Sequence, residues 1–104
     1  MTDNAALYHL SVHAKQDLIQ IRHYSKLNWG EIKAQRYLNI LKQTLSFLAL
    51  NPALGKKRIE LGDDVFSFPC ESHIIYYIKH HSNIVILAAL HKRMVPKNHL
   101  SNER

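Results

Sequence analysis

Ile84-Val85-Ile86-Leu87-Ala88-Ala89-Leu90 is an unbroken apolar run with no alternation of polar and apolar positions. A strand that shows one face to water alternates, so a run of this kind belongs to a strand covered on both faces or placed at the centre of a sheet. Two shorter β-rich runs precede it, Val65 to Phe68 and His73 to Lys79, and Asn83 to Leu90 makes the third. Pro69-Cys70-Glu71 and His80-His81-Ser82 separate them at lengths that suit antiparallel hairpins.

Upstream the period changes from two to that of a helix. Residues 7 to 12 alternate as a short strand, and Ser11 can cap a helix that follows. Ala14, Leu18, Ile21 and then Tyr24 or Ser25 fall on one face of that helix, and Asn28-Trp29-Gly30 ends it. Glu31 opens a second helix, favourably placed for its dipole, with a stripe at Ala34, Tyr37, Leu38, Leu41, Leu45 and Leu48. That helix stops at Asn51-Pro52, because the residue before a proline avoids the helical region. Residues 51–64 carry Pro52, Gly55, Gly62 and Lys56-Lys57-Arg58 and read as a loop with little regular structure. The order β-α-α-β-β-β predicts an α+β domain, a helical hairpin packed on one face of a mostly antiparallel sheet. Leu18, Ile21, Tyr24, Leu41 and Leu45 are its expected hairpin core. One domain spans residues 1–100, with 101–104 a short polar tail; the whole stretch from Pro96 onward reads as weakly ordered.

At 104 residues the chain has room for one compact domain and not two, with little apolar area to spare. The balance of 14 Lys and Arg against 8 Asp and Glu gives +6, which suits nucleic acid, an acidic protein or an anionic membrane surface without choosing among them. Cys70 is the only cysteine, which excludes an intramolecular disulfide and fits a reducing compartment. Met1-Thr2-Asp3-Asn4 lacks the basic and apolar regions of a signal peptide, and no apolar run is long enough to span a membrane. A soluble cytoplasmic protein with no membrane association is expected.

No phosphate-binding glycine loop, paired-carboxylate motif or His-Glu-x-x-His motif occurs. His80-His81 at a hairpin tip, and His91 and His99 in the tail, do not have metal-ligand spacing. Cys70 beside Glu71 and near His73 reads as an inert, partly buried thiol, because the adjacent carboxylate disfavours the thiolate. Lys56-Lys57-Arg58 would form one basic patch with Lys92-Arg93 and Lys97 if the loop meets the end of the last strand; otherwise these are a solvated rim. No catalytic residue, cofactor or metal ligand is expected.

Several segments in order resemble the ParE branch of the RelE/ParE toxins of bacterial type II toxin-antitoxin modules. They are Leu10-Ser11-x-x-Ala14-x-x-Asp17-Leu18-x-x-Ile21-x-x-Tyr24, Trp29-Gly30 with Ala34 and Tyr37, and Asn51-Pro52-x-x-Gly55. Further along come Arg58-x-Glu60-Leu61-Gly62, Phe68-Pro69-x-x-Ser72-His73-x-Ile75-x-Tyr77, and Leu90-His91-x-Arg93-Met94-x-Pro96 with His99-Leu100. Two positions depart from the pattern. Phe66 stands where an arginine is frequent, removing a cation from the sheet face that corresponds to the RelE active surface, and Val95 stands where an Asp usually follows the Met.

The resemblance implies a toxin that inhibits DNA gyrase, with a ParD-like antitoxin as its hetero-oligomeric partner; the alternative is a RelE-like ribosome-dependent mRNA interferase. Cleavage of RNA needs clustered cationic and acid-base groups, and His91, Tyr77 and Arg58 are the available candidates, with Phe66 arguing against them. Candidate target contacts are His91, Lys92, Arg93, Met94 and Lys97 in the C-terminal segment and Lys56, Lys57 and Arg58 in the loop. The sequence nominates no antitoxin contacts. Direct nucleic-acid binding by the chain alone rests only on its charge and ranks last.

Overall fold

The computed structural model describes residues 8–100. In chain order the elements are β1 (Tyr8–Leu10), α1 (Val12–Trp29), α2 (Glu31–Leu50), β2 (Lys56–Lys57), β3 (Val65–Cys70), β4 (His73–His80), β5 (Asn83–His91) and α3 (Lys97–Leu100). They form one sheet of order β1-β5-β4-β3-β2, in which only the β1–β5 pair is parallel. Leu7 of the expected first strand and the expected tail at 101–104 lie outside the described residues.

The apolar run is an interior strand covered on both faces, as its composition requires. Ile84, Ile86 and Ala89 pack under the helices, while Leu87, Ala88 and Leu90 join a second cluster on the opposite face. A bulge sets this phase: Tyr77 pairs with Ile86 and Tyr76 with Ala88, leaving Leu87 as the extra residue. Two neighbours, Leu87 and Ala88, therefore serve the same face, and strict alternation is lost for a second reason besides burial.

The second face is closed from the C-terminus. Residues 97–100, expected to be weakly ordered, form α3, and Leu100 is buried with Val65, Tyr76 and Leu87. The loop expectation is corrected as well. Lys56–Lys57 adds an edge strand to β3, held by backbone pairing to Ser67 and Phe66, and short 3₁₀ turns at Pro52–Leu54 and Ile59–Leu61 flank it. Pro69 and Cys70, expected in a turn, are the end of β3; Glu71 and Ser72 make the reversal, with Glu71 at φ 57.

In the helical layer Ser11 Oγ accepts the Ala14 N–H at 3.0 Å and donates to the Leu87 carbonyl at 3.0 Å, so the cap of α1 is also tied to β5. The ambiguity at the end of the α1 stripe resolves to Ser25, which is buried; Tyr24, expected in the core, is exposed. Ile21, Leu41 and Leu45 are core residues as expected, and Leu18 is partly buried against them. Gly30, at φ 90, takes the left-handed region at the reversal. Its N–H closes α1 on the Lys26 carbonyl and its own carbonyl accepts from Ala34 to open α2.

Candidate functional site

The structure separates the basic candidates. Lys56 and Lys57 are exposed on the edge strand. Arg58 is not a free cation: its Nε donates to Glu60 Oε2 at 2.7 Å, its Nη1 donates to the buried Ser67 Oγ at 3.2 Å, and the guanidinium lies 5.8 Å from the centre of the Tyr76 ring. The Glu60 carboxylate strengthens its hold on the proton. Lys97, on α3, lines a cleft of about 290 Å³ with Glu60, Leu61 and Leu100, which places it beside the Arg58–Glu60 pair.

Lys92 and Arg93 stand elsewhere, in the exposed turn that leaves β5. The Lys92 N–H donates to the Ser72 carbonyl at 3.0 Å, the Arg93 N–H to His91 Nδ1 at 3.2 Å and the Met94 N–H to the His91 carbonyl at 2.9 Å. These bonds fix the turn against the β3–β4 reversal. One continuous patch from Lys56 to Arg93 is therefore not what the fold builds; Lys97 joins the loop, and Lys92-Arg93 join the end of the sheet.

At that end His73 faces His91 across β4 and β5, with ring centres 5.5 Å apart at 82°. The Tyr37 hydroxyl accepts the Ser72 N–H at 3.0 Å and shares a hydrogen bond with His73 Nδ1, 2.8 Å away. Burial, with His91 as a smaller cause, pulls the His73 pKa down to about 4. His73 is thus a neutral structural residue at physiological pH. Cys70 is buried with Sγ 3.3 Å from Thr44 Oγ1, and burial raises its thiol pKa, in line with an inert role.

The three groups available for RNA cleavage do not converge. Tyr77 is buried on the helix side, where its hydroxyl donates to the Pro52 carbonyl at 2.8 Å and accepts the Gly55 N–H at 2.9 Å. Arg58 is on the opposite face with Ser67 and Tyr76, and His91 is at the strand end. Phe66 lies on the helix side too, stacked on Tyr77 at 5.6 Å and 21°. Its departure from the family pattern therefore falls on the helix-covered face, away from Arg58.

Sequence reasoning missed two features. Asp17 Oδ2 accepts the Ala89 N–H at 2.9 Å, and the only hint was its place among the resembling residues. The tip of the helical hairpin, from Arg22 to Lys33, has Ser25 as its one buried residue. Among the described residues no three His, Cys, Asp or Glu side chains are placed to hold a metal ion, and no helix is long and apolar enough to cross a membrane.

The sequence profile of the ParE toxin of type II toxin-antitoxin system, parDE, matches residues 8–96. The chain belongs to the ParE toxin family. It is 31% identical over 93 residues to Toxin ParE1 of Caulobacter vibrioides, covering 89% of this chain and 96% of that one. It is 30% identical over 88 residues to Toxin ParE of Escherichia coli, covering 84% of this chain and 85% of that one. The fold is that of a chain from the chromosomal ParDE system of P. aeruginosa, with a TM-score of 0.72 at 16% identity, over 86% of this chain and 98% of that chain. The ParE profile ends at Pro96, so α3 and its buried Leu100 lie beyond the matched span.

Proposed function

We propose that this ParE-family toxin acts in the cytoplasm as a non-enzymatic inhibitor of DNA gyrase and is neutralised by a ParD-like antitoxin. Residues 1–100 act as one toxin domain. The observation that carries the choice over RNA cleavage is the dispersal of Arg58, Tyr77 and His91. Phosphodiester cleavage needs an acid-base pair and a cation within reach of one phosphate. Here one is locked to Glu60, one is buried between Pro52 and Gly55, and one ends a strand. The C-terminal His91, Lys92, Arg93 and Met94 are the favoured target contacts. Lys97 and the Lys56–Arg58 loop are secondary candidates.

An acidic antitoxin segment that folds as it binds would complement a chain of charge +6. The test is expression with and without the neighbouring open reading frame, followed by two assays on the purified chain. Slowed supercoiling, or linearised plasmid in the presence of gyrase and ATP, is expected. Codon-specific cleavage in a translating extract with gyrase unaffected would make the ribonuclease reading correct.

A further inference from the structure

Resting on the gyrase reading above, we infer that the tip of the helical hairpin, together with the basic turn after β5, is the surface that docks the toxin into an acidic, apolar-floored groove of its protein target. Between Arg22 and Lys33 the hairpin leaves the sheet. Tyr24, Leu27, Trp29 and Ile32 are exposed by 60, 73, 51 and 75%, and a Cβ built on Gly30 meets no atom within 4 Å. Four large apolar side chains clustered at one protruding end are more than scattered surface hydrophobics, and none of them belongs to either core cluster.

The tip is also preorganised. Trp29 packs edge-on against Tyr24 at 6.0 Å and at a tilt of 58° against Tyr37 at 6.4 Å. Asn28 Nδ2 donates to the Tyr24 carbonyl at 2.8 Å, and Arg22 and Lys26 both reach Glu31 at 3.5 Å. Rigid Trp and Tyr anchors ringed by cations are the composition of protein-binding hot spots, and holding them in place beforehand removes part of the cost of association.

The ring contacts continue from Tyr37 to His73 at 5.6 Å and from His73 to His91 at 5.5 Å, which joins the tip to the Lys92-Arg93 turn as one surface. The segments that build it, residues 22–37, 71–73 and 91–93, carry Arg22, Lys26, Lys33, Arg36, Lys92 and Arg93 against Glu31 and Glu71. That excess selects an acidic occupant and disfavours a second copy of the same cationic tip. Leu27 and Ile32, the most exposed of the apolar set, have no ring to stack on a base, which favours a protein groove over a nucleic acid.

The test compares the native chain with Leu27→Ser/Ile32→Ser and with Trp29→Ala, in supercoiling inhibition with gyrase holoenzyme, melting and antitoxin binding. Losing such anchors should weaken inhibition about tenfold or more, with the melting temperature of the Ser variants and their antitoxin affinity unchanged. A native chain that inhibits gyrase while the folded Ser variants inhibit equally overturns the docking surface alone. A native chain that leaves gyrase untouched overturns it together with the gyrase reading. Variants that lose binding to a duplex oligonucleotide or to anionic phospholipid vesicles, with inhibition intact, would assign the tip to those partners and overturn the protein groove.

Discussion

The Asp17 carboxylate of α1 accepts the Ala89 backbone N–H of β5 at 2.9 Å, just beyond the β-bulge at Leu87. β1 pairs with β5 only as far as Ile86; beyond it the Ser11 N–H donates to the Ile86 carbonyl, Ser11 Oγ to the Leu87 carbonyl, and Asp17 takes the next free donor. The N-cap residue and the second turn of α1 thus finish the edge that a three-residue strand leaves open.

Asp17→Ala should cost about 1–3 kcal/mol, because it strands the Ala89 N–H, whereas Asp17→Asn keeps an acceptor there. Burial raises the Asp17 pKa, against the Ala89 bond and the nearby His13 and His99, which lower it. The folded state therefore holds the proton more tightly than the unfolded chain, and the resulting stability is present at acid pH and lost as pH rises through the folded pKa. The advantage of Asn over the native residue should widen from below about pH 4 to pH 7. Melting curves at the two pH values measure it; a constant difference would show that the carboxylate is not desolvated.

His73 has the opposite sign. Its pKa falls to about 4 in the fold, so the folded state binds fewer protons, and stability present above the ordinary His value is lost as pH drops toward 4. With partial exposure to solvent discounted, the loss is on the order of 1–2 kcal/mol. His73→Gln should flatten the melting profile between about pH 6.5 and 4. Tyr37→Phe should lower stability at every pH by removing the hydroxyl that bonds the Ser72 N–H and the His73 ring nitrogen.

Gly55 is a further sensitive position. Its N–H donates to the Tyr77 hydroxyl, and a Cβ there would run into that hydroxyl and its ring. Gly55→Ala should therefore destabilise by about 1–3 kcal/mol through overpacking. Tyr77→Phe should cost a similar amount, about 1–3 kcal/mol, by leaving the Gly55 N–H and the Pro52 carbonyl without their partner. Chemical denaturation of the two variants checks this, and a native midpoint in either would refute the close seat.

These positions also show where the sequence is and is not legible. The two helices announce themselves because their apolar residues repeat with the helical period, and β5 because a short unbroken apolar run between turn residues marks a strand covered on both faces. Lys56–Lys57 carries no such signal, since a two-residue edge strand is held by backbone bonds that any residue can make. α3 escapes notice because one residue, Leu100, anchors three polar ones. Tyr24 and Ser25 both lie within about one sixth of a turn of the Ile21 face, and burial goes to the small one. At the candidate site, the charges were legible but their grouping was not, because it depends on how β2 pairs and where α3 docks.

That grouping separates the lysines in a testable way. Lys92 and Arg93 project from a turn that adjoins the exposed hairpin tip through His91, His73 and Tyr37, whereas Lys97 sits on the other sheet face beside Glu60. If the C-terminal segment meets gyrase through the strand-end turn, Lys92→Gln/Arg93→Gln should lose inhibition while Lys97→Gln retains it. None of the three exchanges should move the melting temperature appreciably, because exposed charges add about 0–1 kcal/mol to folding. Inhibition by the native chain should weaken as salt rises, and that salt dependence should be shallower in the double variant, since fewer charges are being screened. Supercoiling assays across a salt series measure all of this. Inhibition lost in Lys97→Gln and kept in the double variant would move the target contact to the Arg58–Glu60 side of the sheet.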